Sequence, residues 1–180
     1  DGRLVITVNS WEKFSLFGDE IIEVHTAGRP FLLSPEGWAI TASEEDINHP
    51  AADAIDSTQH TYYSSATLAQ MPVGLRIDMG KEQHVGAILL HQNEARALTT
   101  ARYCPEGEGT RIKDYEVYTS SDGLHWGTAV TAGQLENERG VKEIILPRET
   151  PAGRYIELKV LSNYKGDGLV QITGIDLIKK

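Results

Sequence analysis

The sequence predicts an all-β protein, an antiparallel sandwich of two sheets. Three observations carry that expectation. Short runs of alternating apolar residues recur along the chain, separated by Gly, Pro, Asn and Asp. No apolar stripe lasts for three turns of helix. The 180 residues, 40% of them hydrophobic, suffice for one domain with its own core.

The elements follow in order. Residues 4–8 alternate, and residues 21–24 and 31–33 are further apolar runs. Trp38, Ile40 and Ala42 share one side of a run that ends at Ser43. Residues 51–55 and 66–71 could each make a short turn of helix. Val73, Leu75, Ile77 and Met79 keep a strict period of two, with Arg76 and Asp78 facing the other way. Residues 84–91 are nearly continuous in apolar character, as in a central strand buried on both faces. Strands over residues 112–119, 142–146, 154–161 and 169–178 complete the set. Between two of these patterns, Ser121-Asp122-Gly123 reads as a tight hairpin turn. The stretch 92–110, interrupted by Gly107 and Gly109, is a long loop of the kind that usually carries function. Residues 1–36 bear no domain signature. They are either extra N-terminal strands packed on the sandwich or the tail of a preceding domain, and residues 37–180 are the sandwich.

Composition excludes several functions. The net charge of -9 repels phosphate backbones and anionic membrane surfaces, and Lys and Arg are scattered, so neither nucleic acid nor membrane insertion is expected. The single cysteine, Cys104, cannot form an internal disulfide and reads as an inert thiol. No segment resembles a signal peptide or membrane span. The chain opens on Asp1-Gly2 without Met, as expected of a trimmed piece of a longer protein. Motifs of zinc proteases, nucleophile elbows and P-loops are missing. Gly107-Glu108-Gly109 lacks the third glycine and the helix of a dinucleotide fingerprint. The expectation is therefore a non-enzyme, with a glycoside hydrolase using loop carboxylates as a lesser alternative.

Five segments, in order, carry a family resemblance. They are Trp38-Ala39-Ile40-Thr41-Ala42-Ser43; Ala52-Asp53-Ala54-Ile55-Asp56-Ser57 with Thr61-Tyr62-Tyr63; Leu75-Arg76-Ile77-Asp78-Met79-Gly80; Tyr115-Glu116-Val117-Tyr118 with Ser121-Asp122-Gly123-Leu124-His125-Trp126; and Gly153-Arg154-Tyr155-Ile156-Glu157-Leu158. From Gly37 onward the chain resembles the discoidin family, or coagulation-factor type-C domain, and its bacterial carbohydrate-binding-module branch. The resemblance implies a jelly-roll-like, galactose-binding-like β-sandwich in which Trp126 plugs the core beside the Asp122-Gly123 turn. It also implies a secreted, periplasmic or cell-surface bacterial protein. The domain would bind glycan as a non-catalytic module beside neighbouring domains of a longer parent. A protein-interaction or adhesion domain using the same loops is the alternative.

The family places its ligand at loops on one end of the sandwich. Sugar recognition needs an aromatic face and planar polar groups. The candidates are His49 with its neighbour Asn48, Tyr62, Arg96, Arg102, Tyr103 and Tyr164, with Tyr103 and Tyr164 reading equally as loop packing or ligand stacking, while Tyr63 takes the family's Trp position and reads as packing. In galactose-binding relatives a His often follows that Trp; this chain has Ser64, and it lacks their Pro-Arg pair at the strand end. Galactose specificity is therefore not implied. The resemblance also implies a structural calcium site in loop 52–61, with Asp53, Asp56 and Thr61 as oxygen donors. Ser57 replaces the family's glycine there, and Gly174 stands where a carboxylate is often contributed. The alternative is a loop held by Asp56 accepting backbone N–H groups.

Overall fold

A computed structural model describes residues 32–58, 60–66, 69–92, 111–138 and 140–180. The chain divides after Phe31 into two units, and the second, residues 32–180, holds every described residue. The expected strands before residue 32 and most of the long loop, residues 93–110, lie outside the described residues.

Among the described residues nine strands form in chain order: β1 Ala39–Ala42, β2 Tyr63–Ser64, β3 Val73–Gln83, β4 Val85–Gln92, β5 Asp114–Ser120, β6 Thr131–Gln134, β7 Lys142–Ile145, β8 Gly153–Val160 and β9 Gln171–Lys179. They make a five-stranded sheet, β1-β3-β8-β5-β6, and a four-stranded sheet, β2-β9-β4-β7. Every pairing is antiparallel. This is the expected sandwich. Ala51–Ala54 makes one turn of 3-10 helix at the first expected helical turn. At the second, residues 66–71, Ala69 N–H donates to Ala66 O at 2.9 Å, and residues 67–68 lie outside the described residues.

Alternation builds the core. Leu75, Ile77 and Met79 of β3, Val117 of β5 and Ile156, Leu158 and Val160 of β8 are buried from the five-stranded sheet. Ile88 and Leu90 of β4, Ile144 of β7 and Ile172, Ile175 and Leu177 of β9 are buried from the other. Each fully buried side chain of this size contributes about 1.5–3 kcal/mol. As expected of a continuous apolar run, β4 is central, between β9 and β7. Leu32 bridges Ile178, and Leu33 N–H donates to Leu177 O at 2.8 Å. Residues 32–36, grouped above with the extension, therefore belong to the same unit as the sandwich.

Two local expectations need correction. Residues 121–130 are a wide connection between β5 and β6, whose pairing closes only at Val117↔Thr131, so no tight hairpin forms. Asp122 organises this loop. Its Oδ1 accepts the N–H groups of Leu124 and His125, both at 2.9 Å, and its Oδ2 meets His125 Nδ1 at 2.7 Å. These bonds, with the His125 backbone first, hold the Asp122 carboxyl far below its usual range. The loop folds over the outer face of the five-stranded sheet: a Cβ on Gly123 would lie 3.3 Å from the Tyr155 ring. Trp126 therefore does not plug the core. It is half-buried on the outer face, with the Arg76 guanidinium 5.2 Å from its ring centroid.

The connections sort by end. The segment between β1 and β3, which contains β2, and the β4–β5, β6–β7 and β8–β9 connections lie at one end, because β1, β4, β6 and β8 finish where β3, β5, β7 and β9 begin. The β3–β4, β5–β6 and β7–β8 connections lie at the other. A long-range ion pair spans β3 and β8: Arg154 Nε and Nη2 donate to the two oxygens of Asp78 at 2.7 and 2.8 Å. Gly80 N–H adds a 2.8 Å bond to the same carboxylate.

The Arg154 hydrogen bond, helped by that of Gly80, holds the Asp78 carboxyl below its ordinary value. A carboxyl that is more acidic folded than unfolded stabilises the fold above its unfolded pKa, near 3.9. That contribution disappears as pH falls through the folded value. Asp78→Asn should therefore lower the melting temperature at pH 7 but leave little difference from wild type near pH 2, as followed by circular dichroism; an equal loss at both pH values would contradict this linkage.

Candidate functional site

The described candidates, His49, Tyr62 and Tyr164, and the expected cation donors Asp53, Asp56 and Thr61 all lie in connections at the end where β4 finishes. β2 is only two residues long, but it anchors this end. Tyr63 is fully buried and donates its hydroxyl to Glu44 O at 2.5 Å. Burial, with Glu45 and Glu44 nearby, pushes its phenol well above the usual range. Asp46 N–H donates to Ser64 O at 2.9 Å, and Ser64 N–H to His49 O at 3.0 Å. These two bonds clamp the segment after β1 to β2. Inside the segment, Asn48 N–H donates to Asp46 Oδ1 at 2.8 Å, and Ala51 N–H to Glu45 Oε2 at 3.0 Å.

The clamp brings His49 and Tyr62 together. Their rings stack with centroids 3.9 Å apart and planes 24° apart, and Tyr62 Oη lies 2.8 Å from His49 Nε2. Tyr62 is thereby nearly covered, whereas His49 stays half-exposed. Tyr62 thus acts as backing for the imidazole more than as an open ring. Beside them Ile47 is 92% exposed and Asn48 is exposed. The segment therefore presents an apolar knob, an amide and an imidazole face side by side. Sequence reasoning passed over Ile47. Its signal was an apolar residue alone among Asp46, Asn48 and His49, with no alternating partner.

The proposed cation donors adjoin this pair. Asp53 sits on the 3-10 turn, and its carboxyl is raised by burial first, then by Asp56, with His49 pulling it back. Asp56 Oδ1 accepts Thr58 N–H at 3.0 Å, and its Oδ2 accepts the Thr61 hydroxyl at 2.5 Å. Ser57 adopts φ 61°, the left-handed backbone that favours glycine. The turn has thus kept the conformation that the family's glycine serves, with a serine bearing it. The donors are hard oxygens, the type calcium prefers, but they number two carboxylates and one hydroxyl. Among the described residues no group of three or more His, Cys, Asp or Glu side chains could hold a metal. Backbone carbonyls would have to complete the shell of six or more oxygens. Asp176 does not supply a ligand here, because it lies 3.0 Å from His91 Nε2.

Tyr164 lies in the β8–β9 connection at the same end. Its hydroxyl donates to Leu135 O at 2.6 Å, and Lys113 Nζ lies 5.9 Å from its ring centroid. The neighbouring Asn163 is buried: Nδ2 donates to Asp167 Oδ1 and Leu169 O, and Oδ1 accepts Gly166 N–H. Tyr164 thus ties two connections together. Gln92 closes β4 at this end, with its Oε1 accepting Ile112 N–H at 2.7 Å and its buried Nε2 meeting no partner among the described residues. Arg96, Arg102 and Tyr103 lie outside the described residues.

Residues 39–175 match the F5/8 type C domain. The chain belongs to the F5/8 type C domain family. Against curated proteins, this F5/8 type C domain is 25% identical to a galactose oxidase of Gibberella zeae over 154 residues, covering 82% of this chain and 20% of that protein. The chain thus spans about a fifth of the length of that relative. Among solved structures, it is similar to the family 32 carbohydrate-binding module of Clostridium perfringens NanJ in complex with galactose, with TM-score 0.67, 19% identity and coverage of 82% and 98% of the two chains. It is also similar to a Clostridium perfringens family 32 module in complex with GalNAc-β-1,3-galactose, with TM-score 0.68, 15% identity and coverage of 82% and 99%. At these identities the likeness is one of fold. No helix among the described residues is long and apolar enough to cross a membrane.

Tyr164→Phe should cost about 1 kcal/mol of stability, the usual net value of a hydrogen bond whose buried acceptor loses its donor. Urea unfolding would measure it; an unchanged midpoint would free Tyr164 from the tie and return it to the set of exposed ligand contacts.

Proposed function

We propose that this domain is a non-catalytic carbohydrate-binding module of a longer, exported bacterial protein for glycan utilisation. Glycan would bind at the end formed by the segment after β1 and the β4–β5 and β8–β9 connections. The observation that carries this reading is the clamped group of Ile47, Asn48 and His49, backed by Tyr62. Such a group offers a sugar ring an apolar contact and planar polar partners within one fixed turn. Two proteins of this fold were solved as carbohydrate-binding modules with sugars, which supports the ligand class. The departures at Ser64 and after Gln92 leave the sugar itself open. Recognition of this kind raises the local concentration of substrate for an attached or neighbouring enzyme.

His49→Ala keeps the backbone clamp, which uses only main-chain atoms of residue 49. It should lower affinity for any glycan captured on a broad array by roughly tenfold, a change of about 1.4 kcal/mol, with the fold intact. An array blank for wild-type protein, alongside capture of a protein ligand by the same end, would replace the carbohydrate reading with the adhesion one.

We also propose calcium as a structural ion of loop 52–61. A cation beside Asp53 and Asp56 would offset both the burial and, after it, the Asp56 repulsion that raise Asp53. Chelator should then lower the melting temperature by about 5 °C, and added calcium should restore it. A melting temperature indifferent to both would leave the Asp56 hydrogen bonds as what holds the loop.

A further inference from the structure

The outer face of the five-stranded sheet carries polar side chains that the end loops leave unused. Register sets Thr41, Arg76, Glu157 and Tyr118 in one row across β1, β3, β8 and β5. Gly74, Lys159 and Glu116 form the next row. These positions face away from the core because they alternate with Leu75, Ile77, Leu158 and Val117. Charge balances pair by pair across neighbouring strands, Arg76 opposite Glu157 and Lys159 opposite Glu116.

The balance leaves hydrogen-bonding capacity of both signs. Arg76 Nε donates to Glu157 Oε1 at 2.9 Å, and the guanidinium lies 5.2 Å from the Trp126 ring centroid. The indole is itself fixed by Nε1–H donating to Gly123 O at 3.1 Å. Ring and carboxylate thus hold the guanidinium, whose two terminal nitrogens make no hydrogen bond with described residues. The Glu157 side chain is only 7% exposed and lies over Gly74, where a Cβ would come within 2.7 Å of Oε1. Its Oε2 has no partner among the described residues, yet it is not sealed from solvent. A nearly buried carboxylate therefore opens one acceptor oxygen outward beside two fixed donors.

The next row repeats the pattern. Glu116 Oε2 accepts the Tyr118 hydroxyl at 2.6 Å, while its Oε1 is unengaged among the described residues. Lys159 Nζ lies 4.7 Å from the Tyr118 ring centroid. Trp126 and Tyr118 stay half-exposed beside these groups. An anion here would meet the open carboxylate oxygens, and a cation would meet the guanidinium and the ammonium. Sugar hydroxyls suit both, because each can accept a hydrogen bond and donate one. The C–H faces of the same sugar suit the rings. The polar groups stand on three neighbouring strands, β3, β8 and β5, spaced roughly 4.8 Å apart. Successive sugars of an extended β-1,4-linked chain are spaced comparably.

We propose that this sheet face is a second glycan site, for an uncharged, extended chain lying across β3, β8 and β5, with Arg76 and Glu157 together taking a pair of neighbouring hydroxyls. The proposal rests on the carbohydrate reading but puts a chain-binding site on a surface separate from the end loops. Fixing of Arg76 and Glu157 before the ligand arrives limits the ordering cost of binding.

Titration calorimetry of the full chain with cellohexaose, xylohexaose and mannohexaose tests it, with hexagalacturonate as the charged control. At least one neutral hexasaccharide should bind more tightly than hexagalacturonate, with an affinity indifferent to added salt. Binding should persist in His49→Ala protein, where the end site is disabled. In that background Arg76→Gln should weaken it about tenfold, as expected for lost hydrogen bonds from a charged group. Lys159→Ala, which touches no part of the β5–β6 connection, should weaken it about threefold with an unchanged melting temperature. The site is overturned if none of the three neutral chains binds, if hexagalacturonate binds more tightly, or if both sheet variants keep full affinity. Loss of binding in His49→Ala alone removes the sheet-face site while the carbohydrate reading stands; a glycan array blank for wild type removes both.

Discussion

The pairing of β3 with β8 at the centre of the five-stranded sheet sets both faces of the protein at once. From Val73↔Val160 to Asp78↔Tyr155 the register runs unbroken, and every second position points inward. A slip of one residue would exchange Leu75 and Ile77 with Arg76 and Asp78, sending charge into the core and apolar side chains outward. Three contacts oppose such a slip. The bidentate Arg154–Asp78 pair joins neighbouring register positions, the buried Glu157 meets its cross-strand partner Arg76, and only glycine at position 74 leaves room for the Glu157 carboxylate. One polar arrangement outside the core therefore enforces the apolar arrangement inside it.

The end loops inherit their geometry from that sandwich through few residues. Tyr63 plugs the core while its hydroxyl reaches back to Glu44, so one side chain joins the hydrophobic interior to the segment that presents His49. Gly168 does the same for the β8–β9 connection. It sits at φ 78°, and a Cβ there would run into the carbonyl of Ala69. The described connections at this end are thus held by backbone bonds, close packing and the side chains of Tyr63, Asn163 and Tyr164, while exposed side chains such as Ile47 and Asn48 are left to vary. That division suits a family in which one scaffold presents different loops.

Much of this was legible in the sequence, and the failures have physical causes. β3 and β8 could be read because their alternation is strict and one face of their sheet is buried. β6 could not, because Thr131-Ala132-Gly133-Gln134 has no apolar alternation; it exists by pairing with β5, where Gly133 makes room for the Tyr115 hydroxyl. β2 was too short to show a period. Trp126 followed a common rule, that a large aromatic beside a strand is buried in the core, and the rule failed because Arg76 and Tyr155 offered the connection an outer-face platform. At the candidate site, the inward role of Tyr63 was readable. The stacking of His49 on Tyr62 was not, since it depends on two backbone bonds between segments that no local pattern records. Tyr164 read equally as a packed loop aromatic or a ligand-stacking one; its partner Leu135 is distant in sequence, so the tie itself was invisible.

The two polar surfaces differ in a way that bears on the net charge of -9. Glu44, Glu45, Asp46, Asp53 and Asp56 crowd the end near His49, so an anionic ligand would approach that end against repulsion that water screens only in part. On the sheet face three carboxylates, Asp78, Glu157 and Glu116, stand among three cations, Arg154, Arg76 and Lys159, so charge there is locally balanced. Neutral polyols, which carry their own donors and acceptors, suit the first surface. What a ligand meets is therefore the local balance of charges and not the global sum, and on this chain that balance differs between the end and the sheet face.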